Sequence, residues 1–204
     1  MKLRFQTSGL RRLLYFIAFS LLGYCGYVLA DAWWFQRNAS AAFERPLKPA
    51  PEGAVPPPVP PPVPAAIERN DAVVGRLVIR RLGLSVMVVE GTSATALRRA
   101  AGHITGTALP GNHGNTGISG HRDTFFAPLQ NIRRDDVVSV TTRKGEFHYR
   151  VVSMTIVQPD DIDVLAATET EVLTLVTCYP FAFIGSAPER FVVRAERVIS
   201  ESAH

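Results

Sequence analysis

Cys178 closes the run Thr174-Leu175-Val176-Thr177-Cys178, which reads as a β-strand finishing on a thiol. Upstream, Ser119-Gly120-His121 sets an imidazole beside a glycine at another strand end. Arg190 follows the thiol by twelve residues, where a further apolar run begins. Thiol, imidazole and guanidinium are the groups needed to attack a peptide carbonyl and to stabilise the oxyanion that forms. A free thiol is only about 3% thiolate at pH 7, so a nucleophilic cysteine requires an electropositive neighbour. His121 and Arg190 supply one if the fold brings them to Cys178.

Three residues are candidates for supporting this trio or binding its substrate: Gly120, Asp123 and Thr177. Gly120 permits close backbone approach. Asp123 could orient the imidazole, and it could equally cap a short turn over residues 124–129. Strand alternation puts Arg190, Val192 and Arg194 on one face. Arg190 is preferred over Arg194 because it lies nearer the point where a cysteine ending the previous strand would sit. His103, His113 and His121 fall within nineteen residues, which raises a metal site. Gaps of ten and eight residues across a loop are not metal-ligand spacing, and no Cys or carboxylate completes a set nearby. The expectation is no metal.

These residues must be positioned by a domain spanning residues 66–202, long enough for one hydrophobic core. Short β-rich runs dominate it. Residues 73–79 and 84–89 read as a hairpin, 114–120 as a strand, and 137–142 with 147–157 as a second hairpin around Arg143-Lys144-Gly145-Glu146. Residues 172–177 and 191–199 are the last strands. Residues 92–101 read as a helix with Ser93 as its cap, 160–167 as a brief helix, and 101–111 as irregular and glycine-rich. Several strands with few helices indicate a mainly β fold, a closed or nearly closed barrel. No internal repeat is visible.

Residues 13–30 carry no charge, and at about 1.5 Å per residue they span roughly the hydrocarbon thickness of a bilayer. Lys2, Arg4, Arg11 and Arg12 precede this run, and Trp33, Trp34 and Phe35 follow it. The positive-inside tendency keeps the N-terminus cytoplasmic, and the aromatics suit the outer interface. A cleaved signal peptide would use Ala30-Asp31-Ala32, but the apolar run exceeds the usual ~7–15 residues. Either reading exports the remainder. The expected organisation is a basic cytoplasmic tail at 1–12, a transmembrane anchor at 13–35, a linker at 36–65 and the barrel at 66–202. Residues 36–45 read as a short polar connection. Ten of the nineteen residues from 46 to 64 are proline, which implies an extended spacer holding the domain off its membrane.

Residues 1–64 carry seven Lys/Arg and three Asp/Glu, while the remainder carries fifteen of each sign, so the net charge of +4 belongs to the membrane flank. No basic stripe interleaved with aromatics marks a nucleic-acid surface, and no nucleic-acid partner is expected. Cys25 lies in the apolar span and cannot plausibly pair with Cys178. The exported domain therefore holds one unpaired thiol in a compartment where disulfides are usual.

The domain resembles the sortases, membrane-anchored cysteine transpeptidases of bacterial surfaces. Thr174-Leu175-Val176-Thr177-Cys178 matches that family's Thr-Leu-x-Thr-Cys signature, His121 sits in its Gly-His context, and Arg190 falls where its arginine follows the cysteine. Tyr179-Pro180-Phe181 and Gly120-His121-Arg122-Asp123-Thr124-Phe125-Phe126 resemble the class D branch. The resemblance implies an eight-stranded sortase-type barrel. It also implies a reaction: Cys178 attacks an LPxTG-like C-terminal sorting signal of a secreted protein, His121 protonates the leaving amine, and Arg190 holds the carbonyl or oxyanion. A thioester acyl-enzyme would then be resolved by an amine of cell-wall peptide or a surface protein. No cofactor is implied. Some sortases bind calcium through acidic loops, but residues 103–120 contain no Asp or Glu, so no calcium requirement is expected. The alternatives are an exported cysteine peptidase or hydrolase and a non-catalytic surface-binding barrel. The Ser-His-Gly-Cys segment of L,D-transpeptidases is absent, and papain-like enzymes place Cys before His.

Overall fold

The computed structural model describes residues 4–44, 72–183 and 185–198. The proline-rich run lies outside the described residues. Eight strands close into a barrel: β1 (Val73–Ile79), β2 (Leu84–Glu90), β3 (Ala101–His103), β4 (Gly114–Ser119), β5 (Val137–Thr142), β6 (Gly145–Val157), β7 (Glu171–Tyr179) and β8 (Glu189–Arg197). Around the barrel the order is β1-β2-β3-β4-β7-β8-β6-β5, and β5 closes on β1. Two pairings are parallel, β2 with β3 and β4 with β7.

The strands form where β-branched and leucine side chains alternate with polar ones, so that one face of each is buried. Leu77, Ile79, Val86, Val88, Ile118, Val140, Leu173, Leu175 and Val193 fill the interior. Phe126, and Leu129 in a 3₁₀ turn over Ala127–Asn131, pack into the same core and are fully buried. Turns are set by local chemistry. Gly83 takes φ 63° at the end of the Arg80–Leu82 turn between β1 and β2, a conformation open to glycine at little cost. The β5–β6 hairpin is tighter than the four residues expected, because Thr142 pairs with Gly145 and only Arg143 and Lys144 remain in the loop.

Further stretches differ from the sequence reading. The helix expected over 92–101 is α2 (Ala94–Arg99), capped as expected by the Ser93 hydroxyl, which accepts from the Ala96 N–H at 3.2 Å. Residues 101–103, read as irregular, form β3. All three are buried, and a Cβ on Gly102 would lie 2.3 Å from the Gly91 carbonyl, so the missing side chain lets two backbones meet there. The N-terminal helix α1 (Arg4–Glu44) is long and apolar enough to cross a membrane, and it runs on through the residues read as a polar connection.

The end of α1 is helical because it packs. Phe35 joins Val73, Val89, Ala96 and Ala100 in a small cluster against the barrel. The Gln36 amide donates to the Arg99 carbonyl at 2.7 Å and accepts from the Met87 N–H at 2.9 Å. Asp31 accepts from Arg99 at 2.7 Å, and Glu44 from Arg76 at 2.8 Å.

At the β1–β2 turn, both Asp136 carboxylate oxygens accept from the Arg81 guanidinium, and one also accepts from the Arg133 N–H at 2.8 Å. Arg81 further donates to the Asn131 carbonyl at 2.6 Å, so the pair fastens the turn to the segment entering β5. The Arg81 hydrogen bonds hold the Asp136 carboxyl below its ordinary pKa. A carboxyl lowered in this way adds stability above the unfolded carboxylate value, near pH 4, and loses it as the pH falls through the folded value below that. Asp136→Asn should therefore lower Tm at pH 7, with the gap to wild type closing below about pH 4. Thermal melts across pH check this; a gap of constant size down to pH 2 would show that ionisation is not the source.

Candidate active site

Strand alternation decides which side chains of β7 face the core. Leu173 and Leu175 point into the barrel, and Thr177 continues that row, 1% exposed. Thr174, Val176 and Cys178 therefore face outward. On β8 Phe191, Val193 and Ala195 pack inward, which turns Arg190, Val192 and Arg194 out. Cys178 and Arg190 are direct partners across the antiparallel β7–β8 pair, so their side chains rise from one face at neighbouring positions. Arg194 pairs with Thr174, four positions away, or roughly 13 Å along the strand. The register thus puts Arg190, not Arg194, beside the thiol.

His121 arrives from the other side. β4 runs parallel to β7, with Ser119 opposite Val176, and the Gly120 N–H donates to the Val176 carbonyl at 3.2 Å. His121 and Cys178 therefore leave the sheet at the same end. The buried Thr177 hydroxyl donates to the Gly120 carbonyl at 2.7 Å, tying the residue before the thiol to the residue before the imidazole. A Cβ on Gly120 would sit 2.8 Å from the Phe126 ring, so glycine is what lets this strand end rest on the core.

His121, Cys178 and Arg190 line one cleft of about 380 Å³ with Arg122, Asp123, Gly185, Ser186 and Ala187. Cys178 is partly exposed and unpaired. The Arg190 guanidinium donates to the Ala187 and Glu189 carbonyls at 3.3 and 2.9 Å. Two side chains able to carry positive charge, His121 and Arg190, flank the thiol, and Asp123 is the one carboxylate among the described residues lining the cleft. That carboxylate is exposed, and among the described residues no hydrogen bond joins it to His121. The three histidines do not converge. His103 is buried, with Nδ1 2.8 Å from Glu90 and Nε2 3.0 Å from the Ala108 carbonyl. His113 lies against the Glu169 carbonyl at the far end of the barrel.

Asn115 and Arg122 were not singled out in the sequence. Asn115 is 2% exposed, accepts from Thr174 at 2.7 Å and donates to the Val164 and Ala166 carbonyls at 3.0 and 3.2 Å. It thereby pins the 3₁₀ turn Asp163–Leu165, where a brief helix was expected, onto the outward face of β4. Gly117 leaves room there for Leu165, whose Cδ2 would lie 3.0 Å from an added Cβ. The strand Gly114–Ser119 holds one large apolar residue, Ile118, so the sequence offered little signal for Asn115.

The Sortase domain profile matches residues 77–198. This chain belongs to the sortase family. Over 125 residues it is 36% identical to Sortase D of Bacillus subtilis (strain 168), a match covering 61% of this chain and 63% of that protein. It is 26% identical to Sortase A of Listeria monocytogenes, over 56% of this chain and 53% of that one. The chain thus matches between half and two thirds of the length of these relatives. Among solved structures, the Clostridium perfringens Sortase D5 transpeptidase superposes with a TM-score of 0.59 at 27% identity, over 64% of this chain and 81% of that one. The class D features read in the sequence agree with these matches, and the eight-stranded sortase-type barrel is the fold observed.

The Thr177 bond is the direct mechanical link within the sortase site. Thr177→Val keeps shape and burial but leaves the Gly120 carbonyl without that donor. It should cost about 1 kcal/mol of stability. A shift of the imidazole relative to the thiol costs disproportionately more in rate, up to about 10²-fold. Chemical denaturation beside peptide-cleavage kinetics separates the two; an activity loss no larger than the stability loss would show that the tie does not position the site.

Proposed function

We propose that this chain is a membrane-anchored cysteine transpeptidase of the sortase type. The observation that carries the reading is the shared cleft: a thiol, an imidazole and a guanidinium from three different chain segments, placed by register at one end of the barrel. Cys178 as thiolate attacks the carbonyl of an LPxTG-like sorting signal in a secreted protein. Arg190 donates N–H groups to the oxyanion, a role that requires it to leave the Ala187 and Glu189 carbonyls or share itself with the substrate. His121 gives its proton to the departing amine, and a thioester remains on Cys178. An amine of cell-wall peptide or of another surface protein then attacks the thioester and passes its proton to the now neutral His121, which returns the sulfur as thiolate and the imidazole as imidazolium and releases a new amide.

The apolar α1 helix fits a single-pass anchor, consistent with the cell-surface setting of the family. Basic residues before it favour a cytoplasmic N-terminus and an extracytoplasmic barrel at a bacterial membrane. Partners are then the sorting-signal protein, the acceptor amine and membrane lipid around α1.

Cys178→Ala should abolish turnover and thioester formation. Arg190→Ala should lower kcat/KM by about 10²–10³-fold, with lysine restoring little of it. His121→Ala should permit at most slow acylation. The assay is cleavage of a quenched LPxTG-like peptide, with the acyl-enzyme trapped by hydroxylamine and seen by mass spectrometry. Because the reaction needs thiolate and imidazolium together, kcat/KM should trace a bell against pH. A profile flat from about pH 5 to 10 would falsify that pairing. Cleavage in which an added amine never enters the product would make the enzyme a hydrolase instead.

Calcium should be dispensable, since no acidic cluster precedes His121. A chelator should leave the rate unaltered, whereas a calcium-dependent increase of about tenfold would reveal a cation site in the loops.

A further inference from the structure

Arg122 follows His121 directly, yet its side chain turns to the connection between β7 and β8. Its Nη2 donates to the Phe183 carbonyl at 2.7 Å and to the Gly185 carbonyl at 2.9 Å. Its guanidinium carbon stands 5.8 Å from the centre of the Phe183 ring. The connection it grips supplies Gly185, Ser186 and Ala187 to the wall of the Cys178 cleft. Arg190 then holds the other end of the same connection through the Ala187 and Glu189 carbonyls.

The grip is not one that stability alone favours. Among the described residues, Arg122 Nη1 is buried without a hydrogen-bond partner. A buried, unpartnered donor on a charged group costs free energy, and such an exception calls for a function. Phe183 remains 44% exposed, so the contact buries little apolar surface. What the guanidinium achieves is geometric: its Nη2 bridges the two carbonyls while the same planar group stands over the Phe183 ring, and lysine, a point charge on a different stem, lacks that plane.

We propose that Arg122 is a positioning residue that fixes the β7–β8 connection as a wall of the substrate cleft and, through that connection, sets the approach of Arg190 to the bound peptide. It ties the wall to the same strand end that delivers His121, so acid, thiol and wall share one reference point. Without it the side-chain hold on the connection comes from the Arg190 side, and Arg190 must share its donors between those carbonyls and the substrate. The proposal rests on the transpeptidase reading for its kinetic consequence, while its structural consequence can be measured without any substrate.

The test uses the full chain in detergent micelles, as wild type, Arg122→Ala and Arg122→Lys. Amide hydrogen exchange by mass spectrometry reports on residues 181–189, and iodoacetamide reports the pH dependence of Cys178 alkylation. Cleavage of the quenched LPxTG-like peptide gives KM and kcat separately. Both variants should exchange the 181–189 amides about tenfold faster. KM should rise about tenfold with a smaller fall in kcat, and lysine should not rescue. Tm and the alkylation profile should match wild type. Unchanged exchange over 181–189 overturns the proposal, as does full rescue by lysine. A shifted alkylation profile also overturns it, because Arg122 would then act on the thiol directly. If the wild type neither cleaves the peptide nor forms a thioester, the transpeptidase reading fails, and the exchange result still decides whether Arg122 holds the wall.

Discussion

The site depends on a backbone constraint: β7 sits between a parallel neighbour, β4, and an antiparallel one, β8. A parallel partner brings its C-terminal end to the same edge as the C-terminal end of β7. An antiparallel partner brings its N-terminal end there. One thiol at the end of β7 can thus meet a residue leaving β4 and a residue entering β8 with no loop reaching across the barrel. A parallel pairing needs a long crossover, and here the chain travels through β5 and β6 before β7 returns. The separation of 57 positions from Gly120 to Thr177 is the length of that excursion, and the Thr177 hydrogen bond closes it.

Register also separates structural from chemical roles within a single dipeptide. Thr177 and Cys178 point to opposite faces, so the hydroxyl works in the dry interior while the sulfur meets solvent in the cleft. A hydrogen bond in that interior is shielded from competing water and holds the strand ends with more authority than a surface contact could. Arg190 and Arg194 illustrate the same logic in charge. They share a face, but only the first lies at the thiol's level. A guanidinium roughly 13 Å away, in contact with solvent, is screened over about one Debye length and contributes little at the sulfur.

The parts of this arrangement that were legible in the sequence are those governed by short-range pattern. Alternation revealed seven strands, and Ser93 announced α2. The motif around Cys178 and His121, read through the resemblance, pointed to the eighth strand and to the three residues that meet. β3 was not visible because three residues with a central glycine carry no period, and its identity comes from pairing with β2 and β4. Asn115 and Arg122 were missed for a related reason. Each acts on carbonyls 49 to 63 positions away, and a backbone acceptor leaves no trace in residue type. The role of Asp123 stays open between two local uses, since exposed side chains are decided by packing that local pattern does not encode.

The same limit explains α1. The polar composition after Phe35 suggested that the helix stops, but helix length follows from what each turn can dock against. Here Phe35 and Ala39 bury apolar surface, and Gln36 satisfies two barrel backbone groups. The ion pairs at Asp31 and Glu44 add less, because each is partly or largely exposed. Residues 45–71 begin next to Glu44, which bonds Arg76 in β1, and end at Ala72, whose carbonyl accepts from the Glu90 N–H. Both flanks of the stretch therefore rest on the β1–β2 side of the barrel. Its contour length does not set how far the barrel stands from the helix; the contacts of α1 do. A barrel docked on its own apolar helix keeps a restricted range of orientations relative to that helix.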